Sequence, residues 1–221
     1  MAKDTNTIRA NVVRLSYLTS EAIKRKIFDF EDYLFEKKYS LELSSRGGRE
    51  ENLIASDKEA LSHATAYQAV WSRNLRELFN EAKKTSYKFE NFIDIGSGKG
   101  KACFYAYTKH LFNHIIGVDF SEPLVQIANR NKVKIKSQNI SFVCADATKF
   151  ELPEQANLIF MFNPFDSVVL EKFISNNIGH FKNHNSVIAY ANDMERQSLT
   201  RFGFETIFRN EARKISLYHL S

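Results

Sequence analysis

Two cysteines and three prolines are all that this 221-residue chain contains, and its eight glycines are few for its length. So little cysteine excludes a disulfide-stapled domain or a multi-cysteine zinc scaffold. Cys103 and Cys144 sit in apolar surroundings and read as buried thiols in a reducing, cytosolic compartment. Long apolar runs are also missing. No stretch approaches the ~18 uninterrupted apolar residues of a membrane span, and the opening MAKDTNTIRANVVRL carries no apolar signal core. A cytoplasmic location with no membrane association is expected. Concentrated charge is lacking too: the net +5 is spread along the chain. The densest basic run, Arg130, Lys132, Lys134 and Lys136, falls at an expected helix end, where cations favour the macrodipole. It reads as a solvated face, so a nucleic-acid partner rests on net charge alone. The six histidines are scattered, and none stands at a metal-ligand spacing. No metal is expected, and no general base stands out.

What is present is ordinary globular material, 43% hydrophobic and 26% charged, with 19 Phe and 9 Tyr for bulky core packing. The texture changes near residue 90. Before it the chain reads as helical. Ile23, Ile27, Phe30, Leu34 and Phe35 recur at helical spacing, SSRGGREEN (44–52) breaks the pattern, and Val70, Trp71, Leu75, Leu78 and Phe79 form one face of a second helix. From Phe92 strands and helices alternate: FIDI (92–95), HIIGVDF (114–120), ISFVCAD (140–146), LIFMFNPF (158–165) and SVIAY (186–190), with helices expected over 99–111, 123–133 and 167–178. This rhythm predicts a doubly wound α/β fold with a mostly parallel sheet. FETIFRN (204–210) and KISLYHL (214–220) are separated only by EAR, too short for a crossover helix, so the seven-stranded, Rossmann-like sheet should end in an antiparallel hairpin. The domain reading is a helical extension or cap over 1–90 and a core over 91–221.

The strongest local signal is FIDIGSGKG (92–100). A buried strand delivers Asp94, and Gly96, Gly98 and Gly100 follow at alternate positions before a helix. Dinucleotide-binding loops need G-x-G-x-x-G; here Lys101 takes the third position and Gly100 comes one residue early. A carboxylate ahead of the first glycine is also poorly placed beside a pyrophosphate, whereas a ligand bearing ammonium and sulfonium cations tolerates it. Asp119 closes the next strand and Asp146 the one after, both at carboxyl ends, where ligands bind in open α/β sheets.

These motifs resemble the class I S-adenosylmethionine-dependent methyltransferases, with IDIGSGKG as the first motif, Asp119 as the second-strand acid and ADAT (145–148) on the adenine side. The resemblance covers residues 92–221. More narrowly, the whole chain is similar to small bacterial methyltransferases that share a helical N-terminal region, a GSGKG loop and an NPF turn. It implies S-adenosyl-L-methionine as cofactor, with S-adenosyl-L-homocysteine as product. Asp94 with Gly96, Ser97, Gly98 and Gly100 would hold the methionine part. Asp119 and Phe120 would lie at the ribose, Asp146 and Ala147 at the adenine, and Asn163 beside the cofactor.

The fourth strand ends in Phe162-Asn163-Pro164-Phe165. Methyltransferases acting on planar amino groups carry [DN]-P-P-[YFW] here, where the Asn oxygen and a Pro carbonyl accept from the amine and the aromatic ring stacks on it. By that resemblance Asn163, Pro164 and Phe165 are the candidate catalytic residues, although one proline is missing. The expected acceptor is a nitrogen on a protein or small molecule; RNA or DNA methylation, or a non-catalytic S-adenosylmethionine-binding module, are the alternatives. The N-terminal helices are expected to cover the site and bring Thr65, Tyr67 or Trp71 near the substrate, since methyl transfer gains from water exclusion.

Overall fold

Apolar runs bounded by glycine and polar turns build the centre of the molecule, and the helices between them each turn one apolar face inward. The structure, a computed structural model, describes residues 22–43, 63, 65 and 67–220; the break expected over 44–52 lies outside them. In chain order the elements are a helix over 22–39 (α1), Ser72–Ala82 (α2), Asn91–Ile95 (β1), Lys101–Tyr107 (α3), His114–Asp119 (β2) and Glu122–Ile135 (α4). Ile140–Cys144 (β3), Asn157–Phe162 (β4), Ser167–Asn183 (α5), Val187–Ala191 (β5), Arg196–Arg201 (α6), Glu205–Asn210 (β6) and Ile215–His219 (β7) follow. α6 has only six residues, too few to display a helical period in sequence.

The seven strands form one sheet in the order β3-β2-β1-β4-β5-β7-β6. The first five run parallel, and β7 lies antiparallel between β5 and β6, the hairpin expected from the EAR link. The order reverses between β1 and β4, which opens a crevice at their carboxyl ends. Side chains alternate across the sheet: Phe92 and Phe160 pack with α2 and α3 on one face, Ile93 and Ile159 with α5 on the other.

α2 buries Leu75, Leu78 and Phe79, with Val70 just before it, as their spacing predicts. α1 behaves differently. Ile23, Ile27, Phe30 and Leu34 are 50–60% exposed, and the side turned towards the core carries Phe28, Asp32, Phe35 and Tyr39. Polar pairing sets this orientation. Asp32 Oδ2 lies 2.5 Å from Lys101 Nζ, and its Oδ1 accepts from the Ser72 N–H at 3.0 Å. One carboxylate thus joins three helices. After α1, buried Asn131 clamps the chain through both amide atoms, donating to Glu42 O and accepting from Glu42 N, each at 2.9 Å.

Cys103 is buried as expected, but Cys144 is exposed. β3 is an edge strand, and Ser141, Val143 and Cys144 are exposed along it. Among the described residues no helix is long and apolar enough to cross a membrane.

Candidate active site

β1 feeds directly into the glycine loop, and the space around that loop explains its composition. Gly96 and Gly98 hold φ values of 78° and 53°, the left-handed region. A Cβ on Gly96 would stand 2.3 Å from Pro164 Cβ, and one on Gly98 would stand 2.2 Å from the Tyr67 ring. The loop is therefore sandwiched between the NPF turn and Tyr67, whose hydroxyl donates to Leu43 O at 2.7 Å.

The loop N–H groups are engaged within the chain. Those of Gly96 and Ser97 donate to Val118 O at 2.8 and 2.9 Å, and that of Gly100 donates to Ser97 O at 2.8 Å. The Gly98 N–H donates to Asp119 Oδ2 at 2.7 Å. A pyrophosphate-binding loop presents such groups to its ligand. Here four of them are engaged by the end of β2 and by Ser97 O, which agrees with the absence of the third dinucleotide-type glycine.

Asp119 takes the Gly98 N–H on one oxygen and the Ser121 N–H on the other, at 2.9 Å. Burial pushes its carboxyl up to about 6, while the two backbone N–H groups pull it down. Each oxygen keeps a further lone pair for a ligand. Asp146 Oδ1 accepts from the Thr148 N–H at 2.8 Å, and its Oδ2 is only weakly tied, 3.9 Å from Lys149 Nζ.

Gly96, Asp119, Phe120, Asp146, Ala147, Asn163, Pro164 and Phe165 line one cavity of about 270 Å³, together with Thr65 and Tyr67. Asp94, Ser97, Gly98 and Gly100 are not part of that lining. Asp94 is buried behind the loop and accepts from the Cys103 thiol at 3.6 Å. The Ser97 hydroxyl is buried with no partner among the described residues. Trp71 stands away from the cavity, its indole N–H directed to Asp29 Oδ1 at 3.3 Å.

Asp94 makes stability pH-dependent. Burial pushes its carboxyl up to about 8, against the Cys103 hydrogen bond and with help from Asp119. In the unfolded chain it ionises near 4. Between those values the folded protein keeps a proton that the unfolded chain has lost, so the Asp94 contribution to stability falls as pH rises from about 4 to about 8, then levels off. Asp94→Asn, neutral at every pH, should remove that fall; urea midpoints of both proteins at pH 5 and pH 8 check it.

The NPF turn also differs from its expectation. Asn163 adopts φ 42°. Thr65 Oγ1 donates to Asn163 O at 2.6 Å and the Thr65 N–H to Pro164 O at 3.0 Å. Tyr190 OH donates to Asn163 Oδ1 at 3.2 Å. The two oxygens expected to receive a planar amine, Asn163 Oδ1 and Pro164 O, thus each already receive one donor from the chain itself.

Several lining residues carry no sequence motif. His63 is the most consequential: its Nδ1 lies 2.6 Å from Asp166 Oδ2. The two are 103 positions apart, and the only local signal was Asp166 as a helix cap ahead of α5. Gln68, Lys149 and Lys172 also reach the cavity. Two carboxylates and an aromatic and apolar lining suit a ligand with hydroxyl and amino donors and a positive charge. Among the described residues no cluster of His, Cys, Asp or Glu is arranged to hold a metal ion.

Residues 87–213 match a family described as methyltransferase domain. Among solved structures, ribosomal protein L11 methylase from Lactobacillus delbrueckii subsp. bulgaricus is 14% identical, with a TM-score of 0.50 over 71% of this chain and 91% of that one. An S-adenosylmethionine-dependent methyltransferase from Leishmania major is 13% identical, with a TM-score of 0.51 over 68% and 72% of the two chains. A protein of the NADB-Rossmann superfamily from Streptococcus agalactiae is 15% identical, with a TM-score of 0.50 over 70% of each. At these identities the likeness is one of fold. A comparison with curated proteins finds no match.

Proposed function

The chain belongs to the methyltransferase-domain family, and we propose that the cavity between Asp119, Asp146 and the NPF turn is where S-adenosylmethionine, the methyl donor, meets a small-molecule acceptor. The observation that carries this reading is that both strand-end carboxylates and the turn line a single cavity at the sheet's reversal point. The bound donor supplies an electrophilic methyl group on a sulfonium. Asp119 accepts from the ribose hydroxyls with the lone pairs its backbone partners leave open. Asp146 Oδ2 accepts from the adenine amino group beside Ala147 and Phe120. Asp94, Ser97, Gly98 and Gly100 act from behind by shaping the loop, and Gly96 forms its cavity surface.

In this reading His63, Thr65, Tyr67 and Gln68 stand beside the acceptor and help to keep water out. A small acceptor fits a cavity of about 270 Å³ better than a polymer does, and the basic residues are spread along the sequence rather than clustered. A planar amine held by Asn163 and Pro164 would have to share oxygens with Thr65 and Tyr190.

Isothermal titration with S-adenosylhomocysteine tests the assignment. Wild type should bind. Asp119→Ala should weaken affinity about 10- to 100-fold, the loss expected when charge-assisted hydrogen bonds are removed, and Asp146→Ala should weaken it about 10-fold on the same grounds. Thermal unfolding of each free variant controls for the part Asp119 plays in holding Gly98 and Ser121. Absence of binding heat, or binding of NADH in its place, overturns the assignment.

A further inference from the structure

We infer that His63 and Asp166 form a proton-accepting pair for the methyl acceptor, and that the acceptor atom is a hydroxyl oxygen, best matched by a phenol. The inference rests on the donor site proposed above and adds the chemistry of its other half.

The pair is built from several directions. His63 Nδ1 and Asp166 Oδ2 are 2.6 Å apart, and the Asp166 N–H donates to His63 O at 3.1 Å. The other carboxylate oxygen, Oδ1, accepts from the N–H groups of Val168 and Val169 at 3.0 and 3.3 Å, capping α5. Asp166 is thereby fixed by a helix terminus while it fixes the imidazole. Partial burial works to raise the Asp166 carboxyl, but the His63 bond and the two backbone N–H groups hold it below the usual carboxylate range. It remains an anion across the neutral range. A carboxylate facing Nδ1 keeps the proton on that nitrogen and leaves the Nε2 lone pair available. His63 lines the cavity, and its ring contact among the described residues is through Nδ1, which leaves Nε2 for the acceptor.

The acceptor class follows from what the two halves of the site offer. A neutral amine is nucleophilic without a base and needs oriented hydrogen-bond acceptors. The acceptors of the NPF turn each already hold one donor, from Thr65 or Tyr190, so an amine there would share them. A neutral hydroxyl has the opposite requirement: it is a weak nucleophile until its proton is drawn off. An aromatic ring also suits Tyr67, Phe120, Phe162 and Phe165 around the cavity. In the transfer the hydroxyl proton moves to His63 Nε2, an oxygen lone pair forms the O–CH3 bond, and the electron pair of the breaking C–S bond stays on sulfur. The imidazolium is balanced by Asp166 and gives its proton to solvent after the products leave.

The alternative role for the pair is a clamp that ties the segment around His63 to α5. His63→Asn separates the two, because the Asn amide nitrogen stands where Nδ1 stands and can still donate to Asp166, yet it cannot take a proton. Wild type and His63→Asn are assayed with labelled S-adenosylmethionine against phenol, catechol, 4-nitrophenol, a primary alcohol and aniline. Hydroxyl probes should be methylated by wild type. His63→Asn should lose about 100-fold in kcat on phenol, the lower range for general-base catalysis, with S-adenosylhomocysteine affinity within twofold of wild type. It should lose little on the more acidic 4-nitrophenol, and its rate on phenol should climb with pH as the probe ionises in solution. Asp119, Asp146, Lys149 and Lys172 also face this cavity, so an acid limb in the wild-type pH profile belongs to His63 only where His63→Asn abolishes it. Transfer to aniline alone, transfer to none of the hydroxyl probes, or an equal loss on phenol and 4-nitrophenol overturns the inference while binding of S-adenosylhomocysteine leaves the donor site standing. Failure to bind S-adenosylhomocysteine would instead bring down the donor site itself.

Discussion

Replacing Asp32 with alanine is expected to destabilise the protein by about 3–5 kcal/mol, the range for removing one partner of a buried ion pair. The Lys101 side chain is 4% exposed, and its ammonium sits 2.5 Å from Asp32 Oδ2. Burial already lowers the pKa of that ammonium, and Asp32 supplies the largest opposing effect. Without the carboxylate a charge would be stranded beneath α1, and the Ser72 N–H at the start of α2 would lose its acceptor as well. Urea denaturation followed by circular dichroism gives the size of the loss. Asp32→Asn should retain a partner for Ser72 and recover a small part of it. The double variant Asp32→Leu, Lys101→Met should recover most of it, since an apolar pair of similar volume avoids the desolvation cost of both charges. A loss below ~1 kcal/mol, the range of an exposed pair, would mean that α1 is not seated on α3 in solution.

The second large effect belongs to Gly98. Gly98→Ala should cost ~2–5 kcal/mol, combining the left-handed penalty with an overpacked contact. The added methyl would fall 2.2 Å from a ring carbon of Tyr67, and that ring is tied at its far end to Leu43 O. The Gly98 N–H also holds Asp119, so a displaced loop moves a carboxylate of the cavity. Affinity for S-adenosylhomocysteine should fall with stability. Adding Tyr67→Ala removes the clash but leaves the backbone penalty, so the double variant should regain stability relative to Gly98→Ala. A double-mutant cycle isolates that coupling. Strict additivity would show that Tyr67 does not lie over the loop.

Much of the fold was readable because its signals are local. Short, largely apolar runs mark β1, β4 and β5, and all their residues but Phe162 are buried. A three-residue link cannot hold a crossover helix, so the hairpin of β6 and β7 follows from chain length alone. The spacing of Leu75, Leu78 and Phe79 placed the inner face of α2 for the same reason. α1 shows where this logic stops. Of its apolar stripe, Ile23, Ile27, Phe30 and Leu34 are exposed, and Phe35 alone packs against the core. Periodicity reports a helix and its stripes, but a carboxylate with two partners elsewhere in the chain decided which stripe faced the core. Cys144 was misjudged on similar grounds, since apolar neighbours in sequence do not reveal that a strand stands at the sheet edge.

The candidate site divides in the same way. Gly96, Asp119, Asp146 and the NPF turn announced themselves through order and spacing along consecutive strands. A parallel sheet brings strand ends to one rim whatever the side chains, so the chain's sequence by itself determined that these groups would share an edge. Tertiary structure alone decided that Thr65 and Tyr190 occupy the turn's acceptors, that Asp94 lies behind the loop, and that His63 meets Asp166 across 103 positions. Those contacts join segments whose mutual orientation is set by packing. No local period or spacing encodes it.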